Sequence, residues 1–327
     1  MKETMYYKKL EDKKVKCYLC PHNCTIADGK TGICGVRKNV DGILYSQNYN
    51  KISSIAMDPI EKKPLYHFFP GNIVLSVGTI GCNLNCSFCQ NYSISKEYGE
   101  AEEITSKGLV SMASSQHDNL GIAYTYNEPS IWYEFVYETA KEAKCNGLKN
   151  ILVTNGFISQ EPLEALLPYI DAMNIDLKGY SNKYYREICG GEVEPVKRTI
   201  EIASRMCHVE ITTLLVTGLN DNINDIGEMA KWISSIDKDI PLHFSRYFGS
   251  YKLYRDPTPI DTLYAARDEA KKYLNYVYIG NAYGIDNNTY CPNCKRLLAK
   301  RENEVSLEGI NNGKCMYCGQ DINIICD

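Results

Sequence analysis

Three closely spaced cysteines are the residues of this sequence that point most directly to chemistry. Cys82, Cys86 and Cys89 form a C-x3-C-x2-C run within residues 81–91. An iron–sulfur cluster is usually held by four cysteine thiolates. Three thiolates can hold three irons of a [4Fe–4S] cube and leave the fourth iron open. The spacing therefore predicts a cluster whose open iron binds a further molecule.

The same run has two simpler interpretations, a zinc loop or three unrelated buried thiols. Buried cysteine is common because the thiol behaves as a small hydrophobic group. Zinc sites usually combine a close pair of cysteines with a second pair or with histidines. No second pair lies close in sequence to Cys82 and Cys89. We favour the cluster interpretation, which requires a matching structural context.

A set of four cysteines near the C-terminus forms two C-x2-C pairs, Cys291 with Cys294 and Cys315 with Cys318. Four thiolates at this spacing suit a closed tetrahedral metal site. Zinc is the expected metal, and a rubredoxin-like iron site with a role in electron transfer is the alternative. Because a closed site has no open coordination position, we expect it to be structural or to hold a partner.

A second set of four lies near the N-terminus and comprises Cys17, Cys20, Cys24 and Cys34. The prolines and glycines between these cysteines are typical of metal-binding loops. Zinc and a second iron–sulfur cluster are both compatible with the spacing, and His22 is an alternative ligand. Ligand thiols must be deprotonated to bind a metal, so the bound metal itself stabilises the site.

Composition limits the class of protein. The chain has 327 residues, 44% of them hydrophobic, and a formal charge of −4. This length suits one large domain with small additions. A protein that binds nucleic acid through its phosphates needs a basic face, and the sequence has no long run of Lys or Arg. We therefore expect no general nucleic-acid binding.

The cysteine content and the N-terminus indicate a compartment. Residues 1–7 lack an apolar signal core, and no apolar run reaches the roughly 18 residues of a membrane span. Fifteen cysteines in such a chain indicate metal binding or catalysis rather than disulfides. We expect a cytoplasmic protein without a membrane segment. Four isolated cysteines are predicted to be core or surface thiols: Cys145, Cys189, Cys207 and Cys326.

Apolar runs alternate with helical patterns through the middle of the chain. Strands are predicted at residues 73–77, 121–125, 150–154, 172–176, 209–216, 242–244 and 276–279. Helices are predicted between them, for example at residues 129–143, 225–236 and 259–273. Such alternation favours a parallel sheet in an α/β protein, and about six units indicate a partial (β/α)6 TIM-type barrel.

Three segments follow from this pattern. We predict an N-terminal Cys-rich extension at residues 1–70, a partial barrel at 71–286 and a small four-Cys domain at 287–327, of zinc-ribbon or rubredoxin-like type. Active sites of (β/α) barrels form at the carboxyl ends of the strands. The three-cysteine run follows the first predicted strand. Polar residues also stand at the other strand ends: Tyr126, Asn127, Glu128, Thr154, Asn155, Asp176, Lys178, His243, Arg246 and Asn281.

Several of these polar groups also have an ordinary structural interpretation. Glu128 precedes a helix, where a negative charge is favourable against the helix dipole. Asn155 and Gly156 form a common turn dipeptide, and Asp176 and Lys178 can form a solvated ion pair. A lone histidine such as His243 is often structural.

The three-cysteine run, with Phe88 before its last cysteine, resembles the signature of radical S-adenosylmethionine (SAM) enzymes. Longer strings resemble one family within this superfamily, the radical SAM member of the AmmeMemoRadiSam system, which is similar to pyruvate formate-lyase activating enzymes. These strings are residues 17–24, 58–67, 70–71, 81–91, 126–129, 153–156, 176–178 and 243–246, together with the C-terminal cysteine pairs.

The resemblance implies that the open iron chelates the amino and carboxylate groups of SAM, and that the reduced cluster cleaves SAM to methionine and a 5′-deoxyadenosyl radical. It implies that Glu128 accepts the SAM amino group, although Tyr126 and Asn127 replace two glycines of the family motif. The resemblance places the remaining polar residues around SAM or the substrate: Thr154, Asn155, Asp176, Lys178, His243, Arg246 and Asn281. Residues 58–67 either cover the mouth of the site or form a solvated turn.

The resemblance thus implies an activating-enzyme-like oxidoreductase that abstracts hydrogen from a substrate. A glycine of a partner enzyme is one candidate substrate, and a small molecule, an RNA or another protein is the alternative. A reductant such as flavodoxin or ferredoxin is an expected partner. An iron–sulfur electron carrier or metal-binding scaffold is a further alternative, but carriers complete the ligation of their cluster.

Overall fold

A computed structural model describes residues 1–97, 99–302 and 304–326 of the chain. A central sheet of eight strands organises this part of the molecule. In chain order its strands are β1 (Ser54–Pro59), β2 (Ile73–Gly78), β3 (Asn119–Tyr124), β4 (Lys149–Thr154), β5 (Ala172–Asp176), β6 (His208–Leu215), β7 (Leu242–Arg246) and β8 (Val277–Gly280).

The strands lie side by side in the order in which they occur in the chain, from β1 at one edge to β8 at the other. Strands β2 to β8 are parallel to their neighbours, whereas β1 pairs antiparallel with β2. Parallel neighbours need a crossover connection, which is usually a helix. The predicted α/β class with a parallel sheet is confirmed, and the antiparallel edge strand β1 is an addition.

Helices occupy the connections between the parallel strands. They are α1 (Tyr92–Ser95), α2 (Ser106–Ser115), α3 (Tyr133–Cys145), α4 (Gln160–Leu166), α5 (Asn182–Tyr184), α6 (Val193–Ala203), α7 (Ile223–Ile236) and α8 (Ile260–Ala270). Short 3-10 turns lie at Ile60–Lys62, Pro129–Trp132 and Leu167–Tyr169, and a π-helical turn lies at Tyr185–Cys189. In the described ranges, no helix combines the length and the hydropathy that crossing a bilayer requires.

The start of α3 shows how the sequence sets a helix beside a strand end. The side chain of Glu128 accepts the backbone N–H of Ser130, and Pro129 occupies the first position of the turn that leads into the helix. Proline suits this position because the N–H it lacks has no partner within the helix. The buried face of α3 then carries Phe135 and Val136 into the core.

Burial on both faces of the sheet explains why its strands are continuous apolar runs rather than alternating ones. Five of the six residues of β2 are buried, and seven of the eight in β6. The main core also includes Val15, Leu19 and Leu44 from the N-terminal extension. The extension therefore packs as part of the same core as the sheet.

The N-terminal extension contains short antiparallel strands that the sequence pattern does not predict. One three-stranded sheet joins Lys2–Glu3, Ile43–Ser46 and Arg37–Val40, and a second joins Tyr7–Lys9, Val15–Cys17 and Thr25–Ile26. A further strand, Lys51–Ile52, pairs with Glu102–Glu103. These sheets bring the loops that carry the N-terminal cysteines against the central sheet.

The C-terminal segment has its own small core. Strands Thr289–Tyr290, Leu297–Arg301 and Val305–Leu307 form one sheet, and Ile310–Asn311 pairs with Lys314–Cys315. Cys291, Leu298 and Ile322 are among the residues buried together in this core. The end of the chain then returns to the body, where the N–H of Ile325 donates to the carbonyl of His67 at 2.8 Å.

Candidate functional site

A cavity of ≈ 580 Å³ opens at the carboxyl ends of the central strands. Its volume lies in the range of small-molecule and cofactor pockets. The three cysteines of the C-x3-C-x2-C run line it, together with seven of the polar residues singled out from the sequence. These residues are Cys82, Cys86, Cys89, Tyr126, Asn127, Glu128, Thr154, Asn155, Asp176 and Lys178.

The loop that carries the three cysteines, which we call the cluster loop (residues 81–91), is fixed by backbone hydrogen bonds. The N–H of Asn85 donates to the carbonyl of Cys189 at 2.7 Å, and the N–H of Ser87 donates to that of Ile188 at 3.0 Å. These two carbonyls belong to the π-helical turn Tyr185–Cys189. Such turns occur frequently at functional sites. The turn holds the central part of the loop over the cavity.

Cys189, which the sequence predicts to be a core or surface thiol, lies in the core and contacts the cluster loop from outside the cavity lining. It is buried, and its thiol donates a hydrogen bond to the sulfur of Cys86. Gly190 and Gly191 follow it, and a Cβ on Gly191 would lie 2.5 Å from Cδ2 of Leu84. The close packing of this turn on the cluster loop therefore depends on glycine. No local pattern signals the contact, because Cys189 is distant from the loop in sequence.

The sulfurs of Cys82, Cys86 and Cys89 are gathered less closely than those of the C-terminal four-Cys set. In a tetrahedral zinc site with bonds of about 2.3 Å, neighbouring sulfurs lie roughly 3.8 Å apart. Cys291, Cys294, Cys315 and Cys318 meet this condition, with all four sulfurs within 4.8 Å of one another. Within the described residues, no other group of three or more Cys, His, Asp or Glu ligand atoms is gathered in this way. Three cysteines that bind three separate irons do not have to converge on one point, so the looser arrangement in the cluster loop is compatible with a cluster.

Glu128 is a buried carboxylate in the cavity wall. Its Oε1 accepts the N–H of Ser130 at 2.9 Å and the hydroxyl of Thr154 at 2.7 Å, and its Oε2 accepts the N–H of Asn155 at 2.8 Å. Burial raises its pKa above the ordinary value, against the opposing effect of these hydrogen bonds. An ammonium group in the cavity would offset the burial of this charge.

Asn155 connects the end of β4 with the cluster loop. Its Nδ2 donates to Oδ1 of Asn83 at 2.9 Å and lies 3.7 Å from Sγ of Cys82. Its Oδ1 accepts the N–H of Phe157 at 2.8 Å. Asn83 in turn donates to the carbonyl of Phe157 at 2.7 Å. The amide of Asn155 is therefore held beside the first cluster-loop cysteine.

Asp176 and Lys178 form an ion pair at the end of β5, with 2.8 Å between Nζ and Oδ2. Burial disfavours the charge of Lys178, but Asp176 beside it holds the lysine pKa well above its ordinary value. The ammonium lies 5.9 Å from the centre of the Phe88 ring. A fixed pair of opposite charges thus lies beside the last part of the cluster loop.

Tyr126 and Asn127 position the cluster loop from the other side. Asn127 accepts the N–H of Thr79 through Oδ1 at 3.1 Å and donates through Nδ2 to the carbonyl of Gly81 at 2.8 Å. Tyr126 has a φ of 68°, which is unusual for a bulky residue. Its hydroxyl donates to Asp58 at 2.8 Å. The side chains that replace two glycines of the family motif therefore make defined contacts.

The segment 58–67 reaches the cavity through three charged residues. Asp58, Lys62 and Lys63 line the wall. Lys63 is buried and lies 2.9 Å from Asp58, whereas Lys62 is exposed and lies 3.3 Å from it. Lys63 and the Tyr126 hydroxyl help hold the Asp58 pKa below its ordinary value, against the burial that would raise it. The segment therefore contributes to the cavity, and Lys62 also faces solvent.

His243, Arg246 and Asn281 make their polar contacts away from the cavity. His243 is buried, and its Nε2 lies 2.6 Å from Oε2 of Glu210. Nε of Arg246 donates to the carbonyl of Thr258 at 2.8 Å, and Asn281 donates to the carbonyl of Arg246 at 3.0 Å. Alternate residues of a strand share one side, so Ser245, which lines the cavity, marks that side at the end of β7. His243 lies deeper on it.

Glu210 is a second buried acid that sequence reasoning missed. It accepts hydrogen bonds from His208 at 3.0 Å and from the N–H of His67 at 2.7 Å, in addition to its contact with His243. Burial would raise the pKa of Glu210, but His208 and His243 hold it well below its ordinary value. This network lies below the cavity and is satisfied within the protein.

The N-terminal cysteines surround a second, smaller cavity. Cys17, Cys20, Cys24 and Cys34 line it, and His22 and Arg37 are the other polar side chains of a wall that is otherwise apolar. In the C-terminal set, by contrast, the sulfurs form two contacts of 3.6 Å. The chain thus carries three separate thiol sites, and the two flanking ones differ in how closely their sulfurs approach.

The sequence is similar to one family model and to several known proteins. Residues 76–233 match the family model of the Radical SAM superfamily. An uncharacterized protein of Methanocaldococcus jannaschii, MJ0808, is 43% identical over 99% of this chain and 100% of its own length. From the same organism, the putative glycyl-radical enzyme activating enzyme MJ1632 is 28% identical over 61% of this chain and 77% of that protein.

A solved structure supports the fold. Streptococcus suis SuiB bound to S-adenosylmethionine aligns with a TM-score of 0.52 and 14% identity, which covers 63% of this chain and 49% of SuiB. At this identity the likeness concerns the fold alone. The domain matched at residues 76–233 implies a [4Fe–4S] cluster and SAM, and three cysteines in the cavity with an acid and an amide beside them fit that requirement. Residues 76–233 thus form a Radical SAM domain, and the chain as a whole is similar to MJ0808.

Proposed function

We propose that the protein binds a [4Fe–4S] cluster through Cys82, Cys86 and Cys89 and cleaves SAM reductively to abstract hydrogen from a substrate. One observation carries this proposal: the three cysteines share a single cavity with Glu128 and with the Asp176–Lys178 ion pair. When bound, the cluster and SAM supply one-electron reduction and a 5′-deoxyadenosyl radical.

The residues of the chain would orient SAM and exclude water. Glu128 would accept the ammonium group, because it is a buried carboxylate whose existing partners are neutral donors. Asn155 would fix the position of Cys82 and present its amide to SAM. Lys178 would bind a carboxylate or another anionic group while it remains paired with Asp176.

The finer family assignment is also a proposal. We propose that the open parallel sheet is the partial (β/α)6 barrel of radical SAM enzymes, and that the chain is the radical SAM member of the AmmeMemoRadiSam system. The strings at residues 58–67 and 126–129 support this assignment through their positions at the cavity. Flavodoxin or ferredoxin would supply the electron.

An activating-enzyme role is the form of this function that we favour. The similarity to MJ1632, a putative glycyl-radical enzyme activating enzyme, supports it. In that role, the substrate is a glycine in a loop of a partner protein. The cavity is of single-ligand size, so with SAM bound it would admit a small group such as a glycine rather than a bulky side chain.

The C-terminal four-Cys site is proposed to hold zinc. Sulfur contacts of 3.6 Å match the edge of roughly 3.8 Å expected of a tetrahedral zinc site. Three of its thiols are partly or fully buried, whereas Cys318 is exposed. The segment contacts the body through Ile325 and His67, and none of its described residues lines the cavity that the cluster loop borders. A structural role fits this location.

The function is tested by anaerobic reconstitution, reduction and addition of SAM, followed by an assay for 5′-deoxyadenosine. The wild-type protein is expected to produce it, and Cys86→Ala is expected to produce none. Cys145→Ala is the matched control, because Cys145 is exposed and does not line the cavity. Normal cleavage by the Cys86→Ala variant would refute the assignment.

A further inference from the structure

The N-terminal cysteines are arranged differently from the C-terminal zinc-type set. All four line one cavity, and the remaining wall is largely apolar, with Leu19, Ile26 and Ile131 among its residues. Their sulfurs are not gathered into a group as close as the C-terminal one in the described part of the chain. Sulfurs that surround a cavity without converging on one point suit a cluster with four metal corners better than a single tetrahedral ion.

Arg37 adds to the wall of this cavity a buried N–H donor without a partner in the described part of the chain. Its side chain is 1% exposed, and its Nε has no hydrogen-bond partner among the described residues. Its NH2 lies 2.6 Å from Glu134, and its NH1 donates to the carbonyl of Met5 at 2.9 Å. A cluster with four thiolates is an anion, and buried charge requires compensation. Glu134 balances the charge of the Arg37 guanidinium, and the free Nε–H of Arg37 can donate a hydrogen bond towards such a cluster.

The N-terminal cavity adjoins the cluster loop directly. A Cβ on Gly81 would lie 2.8 Å from the carbonyl oxygen of Cys34, so the two backbones are in contact there. Nε2 of His22, which lines the N-terminal cavity, lies 2.8 Å from the carbonyl oxygen of Asn83. These contacts lie on both sides of Cys82. Two clusters held at these positions would be close neighbours.

We propose that Cys17, Cys20, Cys24 and Cys34 hold a second [4Fe–4S] cluster, and that this cluster passes electrons to the one at Cys82, Cys86 and Cys89. The proposal rests on the function proposed above. A low-potential one-electron protein donor, of the flavodoxin or ferredoxin class, reduces the N-terminal cluster from the 2+ to the 1+ state. The same electron then reduces the second cluster from 2+ to 1+, which returns the first to 2+.

The metal content of a variant without the first cluster tests the site. The triple variant Cys82→Ala, Cys86→Ala, Cys89→Ala, reconstituted anaerobically with iron and sulfide, is expected to retain about four irons and about four sulfides per chain. Sulfide is the decisive count, because neither zinc nor a rubredoxin-type iron site contains it. A triple variant with zinc and without sulfide would overturn the proposal.

A reductive titration of the wild-type protein tests the same point without any substitution. The measured quantity is the number of electrons per chain needed to reduce the iron–sulfur absorbance fully. Two clusters that each accept one electron should require about two electrons per chain, whereas one cluster requires about one. This measurement remains valid if the triple variant does not fold. Uptake of about one electron per chain, at full cluster loading, would count against a second cluster.

The relay is tested with Cys20→Ser combined with Cys24→Ser. This variant is expected to lose most of the 5′-deoxyadenosine formation driven by reduced flavodoxin, while formation driven by dithionite is retained. A variant that responds equally to the two reductants, by equal loss or by equal retention, would overturn the relay. Absence of 5′-deoxyadenosine from the wild-type protein would instead refute the proposed function, whatever the metal counts show.

Discussion

Glu128 and Asn155 join two neighbouring strand ends: the carboxylate of Glu128 accepts the backbone N–H of Asn155 at 2.8 Å. Glu128 follows β3, and Asn155 follows β4. The same Asn155 side chain contacts the cluster loop through Asn83. One acid therefore fixes the turn that positions the amide beside Cys82, and it also presents a buried negative charge to the cavity.

Glu128→Gln is expected to weaken SAM binding. The substitution removes the charge that would face the SAM ammonium, and a hydrogen bond to a charged group contributes about 1.5–3 kcal/mol. The dissociation constant should therefore rise roughly 10- to 150-fold. Equilibrium binding of SAM to the reconstituted protein measures this. Unchanged affinity would show that the ammonium binds elsewhere.

Glu61→Gln is the matched control for that substitution. Glu61 also accepts a backbone N–H, that of Gly71 at 2.7 Å, and burial likewise raises its pKa. It does not belong to the cavity lining. Glu61→Gln should therefore alter stability without altering the affinity for SAM. A parallel loss of affinity in both variants would point to a general structural effect.

The strand ends were predictable because parallel strands leave a clear signal. Buried runs separated by helical patterns predict the strands and where they end. The run 172–176 places Asp176 and Lys178 at a strand end, and alternation puts both on one side. The depth of a residue below that end is harder to predict. His243 and Ser245 share one side of β7. His243 nevertheless forms a buried hydrogen bond with Glu210 of the neighbouring strand β6 instead of facing the cavity.

Contacts between distant parts of the chain account for what the sequence did not predict. Cys189 meets Cys86 only because the turn after α5 folds back on the cluster loop. The small N-terminal sheets have strands of two to four residues, which are too short to show periodicity. The contact between Cys34 and Gly81 therefore has no local signal.

Gly81→Ala should separate the N-terminal extension from the cluster loop. Gly81 has a φ of +90°, and a Cβ there would lie 2.7 Å from Cγ1 of Val36 and 2.8 Å from the carbonyl oxygen of Cys34. A left-handed conformation costs an L-residue roughly 1–2 kcal/mol, and overpacking adds about 1–3 kcal/mol. We expect lower stability in urea and reduced iron retention at the cluster loop.

Gly147→Ala is the control for this clash. Gly147 also has a positive φ, +75°, but a Cβ there would have no atom within 4 Å. It should show the conformational penalty alone and retain its iron. Equal stability losses in the two variants would mean that Val36 and Cys34 move away from the added Cβ without any loss of folding free energy. In that case the contact would not hold the loop.

Cys189→Ala is expected to lower the reduction potential of the cluster at Cys82, Cys86 and Cys89. The thiol of Cys189 donates a hydrogen bond to Cys86, and hydrogen bonds to ligand sulfurs are among the factors that set the potential of iron–sulfur clusters. A downward shift of roughly 50 mV would be close to a tenfold change in a one-electron equilibrium. Potentiometric titration followed by electron paramagnetic resonance measures it.

Cys207→Ala is the control for the loss of a thiol in this part of the chain. Cys207 donates to the carbonyl of Ala203 at 3.6 Å and is remote from the cavity lining. The potential should be unaffected by its removal. Both variants should still bind the cluster and cleave SAM, because neither cysteine is a proposed ligand. An unchanged potential in Cys189→Ala would show that its contact with Cys86 is one of packing alone.

His67 should make the stability of the protein depend on pH. Burial lowers its pKa to about 3, although Glu210 nearby acts in the opposite direction and Arg301 adds to the effect of burial. In the unfolded chain the imidazole takes up a proton near pH 6.5. The neutral, buried imidazole therefore stabilises the folded state fully above pH 6.5. This stabilisation is lost as the pH falls from 6.5 towards 3.

The expected slope is about 1.4 kcal/mol per pH unit below pH 6.5, so the loss attributable to His67 is roughly 2 kcal/mol at pH 5. Urea unfolding of the wild-type protein and of His67→Gln at pH 7.5 and pH 5 isolates this contribution, because the metal sites are common to both. In the variant, the amide can still donate towards the carbonyl of Asn323, which His67 contacts at 2.7 Å. The wild-type protein should lose more stability between the two pH values than the variant does. An equal loss in both proteins would show that His67 binds its proton as readily in the folded state as in the unfolded chain, and the pH dependence would then have to arise from other groups.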